Sequence, residues 1–296
     1  MDHSSGTKSF TKALELSLIL TVVFFAIEVA GGIISGSLAL LSDAGHMFRD
    51  IFALLVSLSA LKISSRLPTK GKTFGFHRVE IFAALLNGII LAAIGLWILI
   101  EAVRRIGSPR PVQSTTMLIV ALAGLGINLY AAFKLHGSHD LNVRSAFYHV
   151  ISDAAFSLGV VAAAILIALT GRTIIDLILS AVMSPVIIFS AVNVVREAVV
   201  ILLEFTPKGL DFDEVVGEIQ KAEGVQGVHN VHLWSLCSNI NVIDAHIFTR
   251  ETDLVRIEKI KREIKDRLVK FDIKHATLEF ECEECVLPDE IRKIEH

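Results

Sequence analysis

The sequence predicts an α-helical polytopic membrane protein of six spans, followed by a small α+β domain. Hydrophobic residues make up 53% of the 296 residues and charged residues only 20%, and the mean hydropathy is +0.61. These values are typical of a membrane protein and not of a soluble protein of this length. The formal charge is also uneven, at +3 over residues 1–206 and −6 over residues 207–296. We therefore expect two domains, 1–206 and 207–296.

Six apolar stretches are each close to the ~20 residues that cross a bilayer. The first is not followed by a small-residue cleavage pattern, so we predict that it is retained as a span and is not a signal peptide. The six stretches are Lys12–Ile34, Leu38–Ile63, Val79–Val103, Thr115–Phe133, Arg144–Leu169 and Ile174–Leu203.

Basic residues between the stretches predict the orientation of the chain in the membrane. Nine Lys and Arg residues lie at the N-terminus and in the links after the second and fourth stretches, whereas four lie in the links after the third and fifth. This asymmetry places both termini in the cytoplasm, and an even number of spans requires the same. We expect the membrane to be the cell membrane.

The pattern changes after Pro207. Amphipathic helices are predicted over Asp211–Glu223 and Asp253–Lys270, and strands are predicted by alternation or β-branched content. The order helix–strand–strand–helix–strand (αββαβ) favours a ferredoxin-like cytoplasmic domain. Its acidic character argues against nucleic acid as a partner, since a polyanion binds a basic surface. The three predicted strands are Val225–Trp234, Asn241–Arg250 and Ala276–Cys282.

Two predicted spans each carry a histidine and an aspartate, and ionisable residues in a bilayer are costly. The second span contains His46 and Asp50, and the fifth contains His149 and Asp153. Residues at i and i+4 share one helical face. Two such faces in contact would offer two nitrogen and two oxygen ligands, the number and type that a tetrahedral Zn²⁺ site uses.

The two His–Asp pairs could instead be hydrogen bonds between helices. One buried His–Asp pair in a helix bundle is more often an interhelical hydrogen bond than a pair of metal ligands. Two copies on separate spans at similar depth favour the ligands. Imidazole also favours zinc, cobalt, nickel or cadmium over magnesium or calcium. Metal ligands must lose their protons before they bind, so protons are the natural competitor of the metal.

Three stretches together resemble the cation diffusion facilitator family, in particular its zinc-transporting branch. They are GSLALLSDAGHMFRD (Gly36–Asp50), TFGFHRVEIFAALLNG (Thr73–Gly88) and RSAFYHVISDAAFSLG (Arg144–Gly159). The resemblance covers nearly the whole chain, from Phe10 to about Cys285. It implies a dimeric exporter that exchanges zinc, and also cadmium or cobalt, for protons by alternating access.

The resemblance also implies roles for individual residues. The family's transport site falls on His46, Asp50, His149 and Asp153, and a histidine at position 46 points to zinc. The family's dimer interlock, a basic residue at the start of the third span paired with an acidic one at the end of the sixth, falls on Arg78 and Glu204.

Arg49 departs from the family pattern, which more often has a small polar residue there. It lies about 100° around the helix from Asp50 and need not enter the site. Two interpretations stay open, since this cation would either lower metal affinity by repulsion or neutralise Asp43.

The predicted cytoplasmic domain holds a second set of candidate ligands. His229, His246 and Glu281 resemble family positions that bind zinc there, and Cys282 and Cys285 follow at CxxC spacing. A CxxC pair in the cytosol is a redox pair or half a zinc site. No thioredoxin-like pattern surrounds it, which favours metal, and two ordinary surface thiols are the alternative.

A further hypothesis is that His77 and His275 form an interfacial metal site.

Two rival functions follow from the same residues. A membrane-anchored metal sensor would use the soluble domain without transport, but it needs no ligands at membrane depth. A membrane metalloenzyme would need an open coordination position for water. Here four side chains fill the predicted shell and no HExxH motif is present. We therefore expect no enzyme, no catalytic residues and no cofactor-binding residues, with zinc as transported substrate and membrane lipid, protons and a second copy of the chain as partners.

Overall fold

The computed structural model describes residues 3–63, 69–136 and 141–282. Its N-terminal part contains six long helices that match the six predicted stretches to within a few residues at most ends. The first helix begins nine residues earlier than predicted. The helices are α1 (His3–Ser35), α2 (Leu38–Ile63), α3 (His77–Ile106), α4 (Ser114–Leu135), α5 (Leu141–Thr170) and α6 (Ile174–Leu202).

Five of these helices are long and apolar enough to cross a membrane. The spans are Leu18–Ser35, His77–Ile106, Ser114–Leu135, Phe147–Thr170 and Ile174–Leu202. Helix α2, with Asp43, Arg49 and Asp50 in its sequence, is not among them. The chain is thus a multi-pass helical membrane protein, and its sixth span stays a prediction.

The chain divides into two compact units, one of Met1–Ser65 with Ala84–Val195 and the other of Arg66–Ala83 with Arg196–His296. In the first unit, α4 and α5 pack on the start of α2 through small and branched apolar side chains. Small residues let helices approach closely in a membrane, where packing and not water exclusion drives association. The buried cluster consists of Ala39, Leu40, Met117, Val120, Ala121, Val160, Val161, Ala163, Ala164, Ile167 and Met183.

The start of α2 is fixed from another helix. Asp176 near the beginning of α6 is fully buried and accepts hydrogen bonds from Ser37 Oγ at 2.6 Å, from Leu38 N at 2.8 Å and from Ala39 N at 3.1 Å. The first backbone N–H groups of a helix have no partner within it, and a carboxylate there also suits the helix dipole. This interhelical cap therefore sets where α2 begins.

The turn that precedes α2 is tied down as well. Gly36 has φ of 73°, a left-handed conformation that glycine adopts without strain. Its carbonyl accepts a hydrogen bond from Arg105 Nη1 of α3 at 3.0 Å, and Arg105 Nε also donates to Glu101 at 2.8 Å. The α1–α2 corner is therefore held by α3 and α6 together.

The C-terminal part follows the predicted order helix–strand–strand–helix–strand. It contains α7 (Phe212–Gln220), β1 (Gly227–Cys237), β2 (Ile240–Phe248), α8 (Leu254–Leu268), a 3₁₀ turn (Val269–Phe271) and β3 (Ile273–Glu281). The sheet order is β1-β2-β3, with β1 and β2 antiparallel and β2 and β3 parallel. The sheet is therefore small and mixed, and the ferredoxin-like classification stays a prediction.

Both helices of this domain are capped at their N-termini by aspartate side chains. Asp211 accepts hydrogen bonds from the backbone N–H groups of Asp213 and Glu214, and Asp253 accepts one from Val255. Their apolar faces pack on one side of the sheet, together with the inward residues of the strands. This core includes Val215, Ile219, Val231, Ile243, Ala245, Ile247, Ile260, Ile264 and Leu268.

Candidate functional site

The four predicted ligands of the first unit lie together, and they pair crosswise between α2 and α5. His46 Nε2 is 3.2 Å from Asp153 Oδ1, and His149 Nε2 is 3.4 Å from Asp50 Oδ1. His149 Nε2 is also 3.7 Å from Asp153 Oδ2. Each histidine thus faces the carboxylate of the other helix, so neither helix holds a complete site.

Three of the four already have ligand atoms close enough to share an ion. One ligand atom each from His46, Asp50 and Asp153 lies within 4.8 Å of the others. The rings of His46 and His149 are 6.4 Å apart, and the His149 side chain is 41% exposed against 17% for Asp50. His149 is therefore the most accessible of the four. The spacing of four residues on each helix explains why each pair shares a face.

The side chain of Arg49 also reaches this cluster. Arg49 Nε lies 3.4 Å from Asp50 Oδ1, and Arg49 Nη1 donates to Ser190 Oγ of α6 at 2.7 Å. The offset of about 100° around the helix thus does not keep Arg49 away from the site, because its long side chain bends back toward the neighbouring carboxylate. Ser190 holds it there, and no local sequence pattern could have predicted that partner.

A pair of buried carboxyl groups lies near the same four residues. Glu28 of α1 is 1% exposed and Asp43 of α2 is 3% exposed. Ser157 Oγ of α5 donates to Asp43 Oδ2 at 3.2 Å, and Asn128 Nδ2 of α4 donates to Ser157 Oγ at 3.4 Å. Sequence reasoning singled out neither Glu28 nor Ser157, although a glutamate inside an apolar stretch was a usable signal.

The candidate ligands of the C-terminal domain also meet. His229 on β1 and His246 on β2 are directly paired across the antiparallel ladder. Glu281 at the end of β3 lies 2.7 Å from His246 Nδ1 and 3.1 Å from His229 Nε2, and the latter approach is not aligned as a hydrogen bond. One ligand atom from each of the three lies within 4.8 Å of the others.

A β-bulge shapes this second cluster. The register of β1 shifts between His229 and His232, and Asn230 within the shift has φ of 49°. Asparagine tolerates this left-handed conformation better than most residues. Its side-chain amide lies 3.1 Å from His246 Nε2, so the bulge also supplies a neighbour to the cluster.

The other predicted ligands lie apart from these clusters. Cys282 is exposed, with its Sγ 3.6 Å from the Glu251 carbonyl, and Cys285 lies outside the described residues. His77 Nδ1 is 3.9 Å from Cys237 Sγ, whereas the His275 ring packs edge-on against Phe74 at 5.9 Å.

Burial raises the pKa of the Cys237 thiol, so this neighbour of His77 is a poor source of thiolate for a metal. Neither His77 nor His275 belongs to the groups of at least three closely spaced metal-competent residues found in the described part of the chain. A joint site of these two histidines stays a prediction.

The predicted interlock residues are in contact within this chain. An Arg78 guanidinium nitrogen donates to Glu204 Oε1, and both side chains are about half exposed. Glu204 lies just after α6 with φ of 59°, a strained conformation for a glutamate. The assignment of this pair to a dimer contact stays a prediction.

Comparison with known proteins covers both parts of the chain. A family model described as the cation efflux transmembrane domain matches residues 14–203, and one described as the cation efflux protein, cytoplasmic domain, matches residues 207–282.

Curated relatives match along nearly their whole length. A cadmium, cobalt and zinc/H(+)-K(+) antiporter of Bacillus velezensis is 36% identical over 95% of this chain and 91% of the relative. The metal cation efflux system protein CzcD of Cupriavidus metallidurans is 36% identical over 97% and 91%, and the zinc transporter ZitB of Escherichia coli is 38% identical over 91% and 87%. The resemblance seen in the sequence is therefore confirmed, and the chain belongs to the cation efflux family, whose members are transporters and not enzymes.

Proposed function

We propose that this chain exports zinc by binding it, as transported substrate, between α2 and α5. The observation that carries the proposal is the crosswise approach of each histidine to the carboxylate of the other helix. A site divided between two helices can be assembled and opened by their relative movement. The four proposed ligands are His46, Asp50, His149 and Asp153.

The donor set suits a borderline-soft divalent cation. Two imidazole nitrogens and two carboxylate oxygens give a tetrahedral Zn²⁺ shell, and the same nitrogens favour cadmium and cobalt over magnesium or calcium. The relatives' names support this choice, because they include zinc, cadmium and cobalt.

Protons are the proposed counter-ion. Zinc and protons compete for the same nitrogens and oxygens, because a ligand must be deprotonated to bind metal. Binding on the cytoplasmic side and release on the other side by alternating access would then exchange metal for protons. The name of the Bacillus velezensis relative, which includes H(+), supports antiport.

The topology completes the proposal. With α2 as the sixth span, both termini lie in the cytoplasm and residues 207–296 form a ferredoxin-like cytoplasmic domain attached to a transport domain of residues 1–206. The excess of basic residues on the side of the termini supports this orientation. The cell membrane is the proposed location.

The working form is proposed to be a homodimer in membrane lipid. The Arg78–Glu204 pair is the proposed interlock near the membrane surface. A half-exposed ion pair contributes little to stability by itself. Its proposed role is therefore to hold the start of the third span and the end of the sixth span in a fixed relative position.

The C-terminal cluster is proposed as a separate zinc site. His229, His246 and Glu281 supply two nitrogens and an oxygen, and Cys282 or Cys285 would supply further ligands. Its proposed role is structural or regulatory, because it lies outside the spans. The matching cytoplasmic-domain model supports the domain but leaves this metal as a proposal.

Metal uptake into proteoliposomes tests the main proposal. Asp50→Ala and Asp153→Ala should each abolish Zn²⁺ transport, because three ligands leave an incomplete shell in a water-poor place. Glu197→Gln, which removes a carboxylate outside the site, serves as a control and should transport normally. Wild-type rates in a folded Asp50→Ala or Asp153→Ala variant would contradict the site.

The same assay separates transport from the rival function, a membrane-anchored metal sensor. A sensor would bind Zn²⁺ at the C-terminal cluster without moving it across the bilayer. Comparison of Zn²⁺, Cd²⁺, Co²⁺ and Mn²⁺ in one preparation also orders the substrates. No uptake of any of these ions by a folded wild-type dimer would favour the sensor.

A further inference from the structure

Among the described residues of the membrane helices, Glu28 is a buried carboxyl group with an oxygen that has no hydrogen-bond partner. It is 1% exposed, and the oxygen without a partner is Oε2. Helix α4 comes close at Gly124, where an added Cβ would lie 3.3 Å from Glu28 Oε1 and 2.7 Å from the Phe24 ring. An ionised carboxylate without a partner in such a place costs several kcal/mol on a rough scale.

The neighbouring carboxyl group of Asp43 affects the charge that Glu28 can carry. Asp43 is 3% exposed and is a close electrostatic neighbour of the Glu28 carboxyl. The other Asp43 partner is Ser157, which is in turn hydrogen-bonded to Asn128. Two neighbouring carboxylates in a low dielectric strongly disfavour double ionisation, so a positive species has to accompany them.

The pair is a separate group from the transport ligands. Asp43 precedes His46 by three residues on α2, and Ser157 follows Asp153 by four on α5. Among the described residues, no hydrogen bond or ion pair joins Glu28 or Asp43 to the four ligands. The pair offers only carboxyl oxygens as ligands. Oxygen ligands alone suit a hard cation, whereas zinc favours a set that includes imidazole nitrogen.

Charges at the proposed transport site nevertheless act on the Glu28–Asp43 pair. In the described part of the chain, Asp153 of α5 and His46 of α2 are titratable groups close enough to influence the pair. Helix α4 approaches the pair with the uncharged residues Gly124 and Asn128. A divalent ion held by the four ligands would add positive charge on this side, which favours the doubly ionised form of the pair.

We propose that Glu28 and Asp43 form a second cation site that holds one proton and releases it when metal occupies the neighbouring ligands. The pair then contributes a coupled proton to exchange without touching the metal. The inference rests on the proposed transport function, because the metal is the signal to which the pair responds.

Proton release on zinc binding tests the inference. The full-length protein in detergent, with His229 and His246 replaced by alanine, is titrated with Zn²⁺ in a weakly buffered dye solution. Glu28→Gln, which keeps the size of the side chain, should still bind zinc but release about one proton fewer per ion. Asp43→Asn should lose the same proton, and the control Glu101→Gln should release as many as the parent protein.

Two outcomes would overturn the inference. One is equal proton release by the Glu28→Gln variant and its parent. The other is a K⁺-dependent zinc affinity that disappears in Glu28→Gln, because the pair would then hold a monovalent metal ion. A parent protein that binds no zinc in this background would instead contradict the proposed transport site.

Infrared difference spectra add a readout that begins with the unsubstituted protein. In the unsubstituted protein, zinc binding should remove a C=O stretch of a protonated carboxyl group. That band should be absent from the Asp43→Asn spectrum if the pair is its source. Persistence of the full band in both variants would assign it to the transport ligands and refute the inference.

Discussion

Replacing Arg49 by glutamine should tighten zinc binding at the proposed transport site. Arg49 Nε lies 3.4 Å from Asp50 Oδ1, an oxygen that the metal would use. The guanidinium therefore competes with the ion for that oxygen and also repels it. Glutamine removes the charge and keeps a polar side chain at this position.

The magnitude follows from how far the pair is shielded from water. Arg49 is 32% exposed and Asp50 is 17% exposed. Exposed pairs contribute up to ~1 kcal/mol, whereas breaking a buried pair costs ~3–5 kcal/mol. For this partly buried pair we expect a value toward the lower end of that range, about 1–2 kcal/mol of zinc-binding free energy. This corresponds to a ~5- to 30-fold lower dissociation constant for Zn²⁺.

Competition with a chelating dye in detergent measures the effect, in a background with His229 and His246 replaced by alanine. Arg104→Gln is the matched control, because it removes the same charge from a side chain that is 76% exposed. Its zinc affinity should stay at the parent value. An unchanged affinity in Arg49→Gln, or an equal gain in both variants, would refute the reasoning.

The remaining two predictions concern selectivity and the interlock. His46→Asp replaces a nitrogen ligand by an oxygen and adds a negative charge, so Mn²⁺ transport should gain relative to Zn²⁺. An unchanged ratio of the two rates would count against His46 as a ligand. Arg78→Ala should slow transport or weaken dimer cross-linking, and exchanging the charges as Arg78→Glu with Glu204→Arg should partly restore it. If the exchanged pair performs no better than either single change, the two residues do not act together.

Elements that repeat a local pattern could be predicted well from the sequence. Helices α2 to α6 lie where the long apolar stretches predicted them, and α7, α8 and the three strands lie where the periodicity predicted them. The pairs His46–Asp50 and His149–Asp153 follow in the same way from helical spacing. In each case the information lies within a few residues of chain, which is the range over which backbone geometry dictates neighbours.

Contacts between distant helices could not be predicted in this way, and they determine the chemistry around the site. Asp176 sets the start of α2 from a distance of about 137 residues along the chain, and Ser190 holds Arg49 from 141 residues away. The sequence around these residues does not reveal their roles, because the role of a buried aspartate or serine depends on the donor or acceptor to which it is hydrogen-bonded.

The charge of the site depends on those distant contacts. The four proposed ligands alone carry two negative charges when the histidines are neutral. With Arg49 held on Asp50, the local balance is one negative charge, and an ionised Glu28–Asp43 pair would add two more nearby. A metal ion therefore meets a field set by seven side chains on three helices, of which four are its proposed ligands. Arg49, Glu28 and Asp43 can change the charge balance without removing a ligand, so zinc affinity and proton exchange can be altered separately. Substitution of Arg49 should change the dissociation constant for Zn²⁺, and substitution of Glu28 should change the number of protons released.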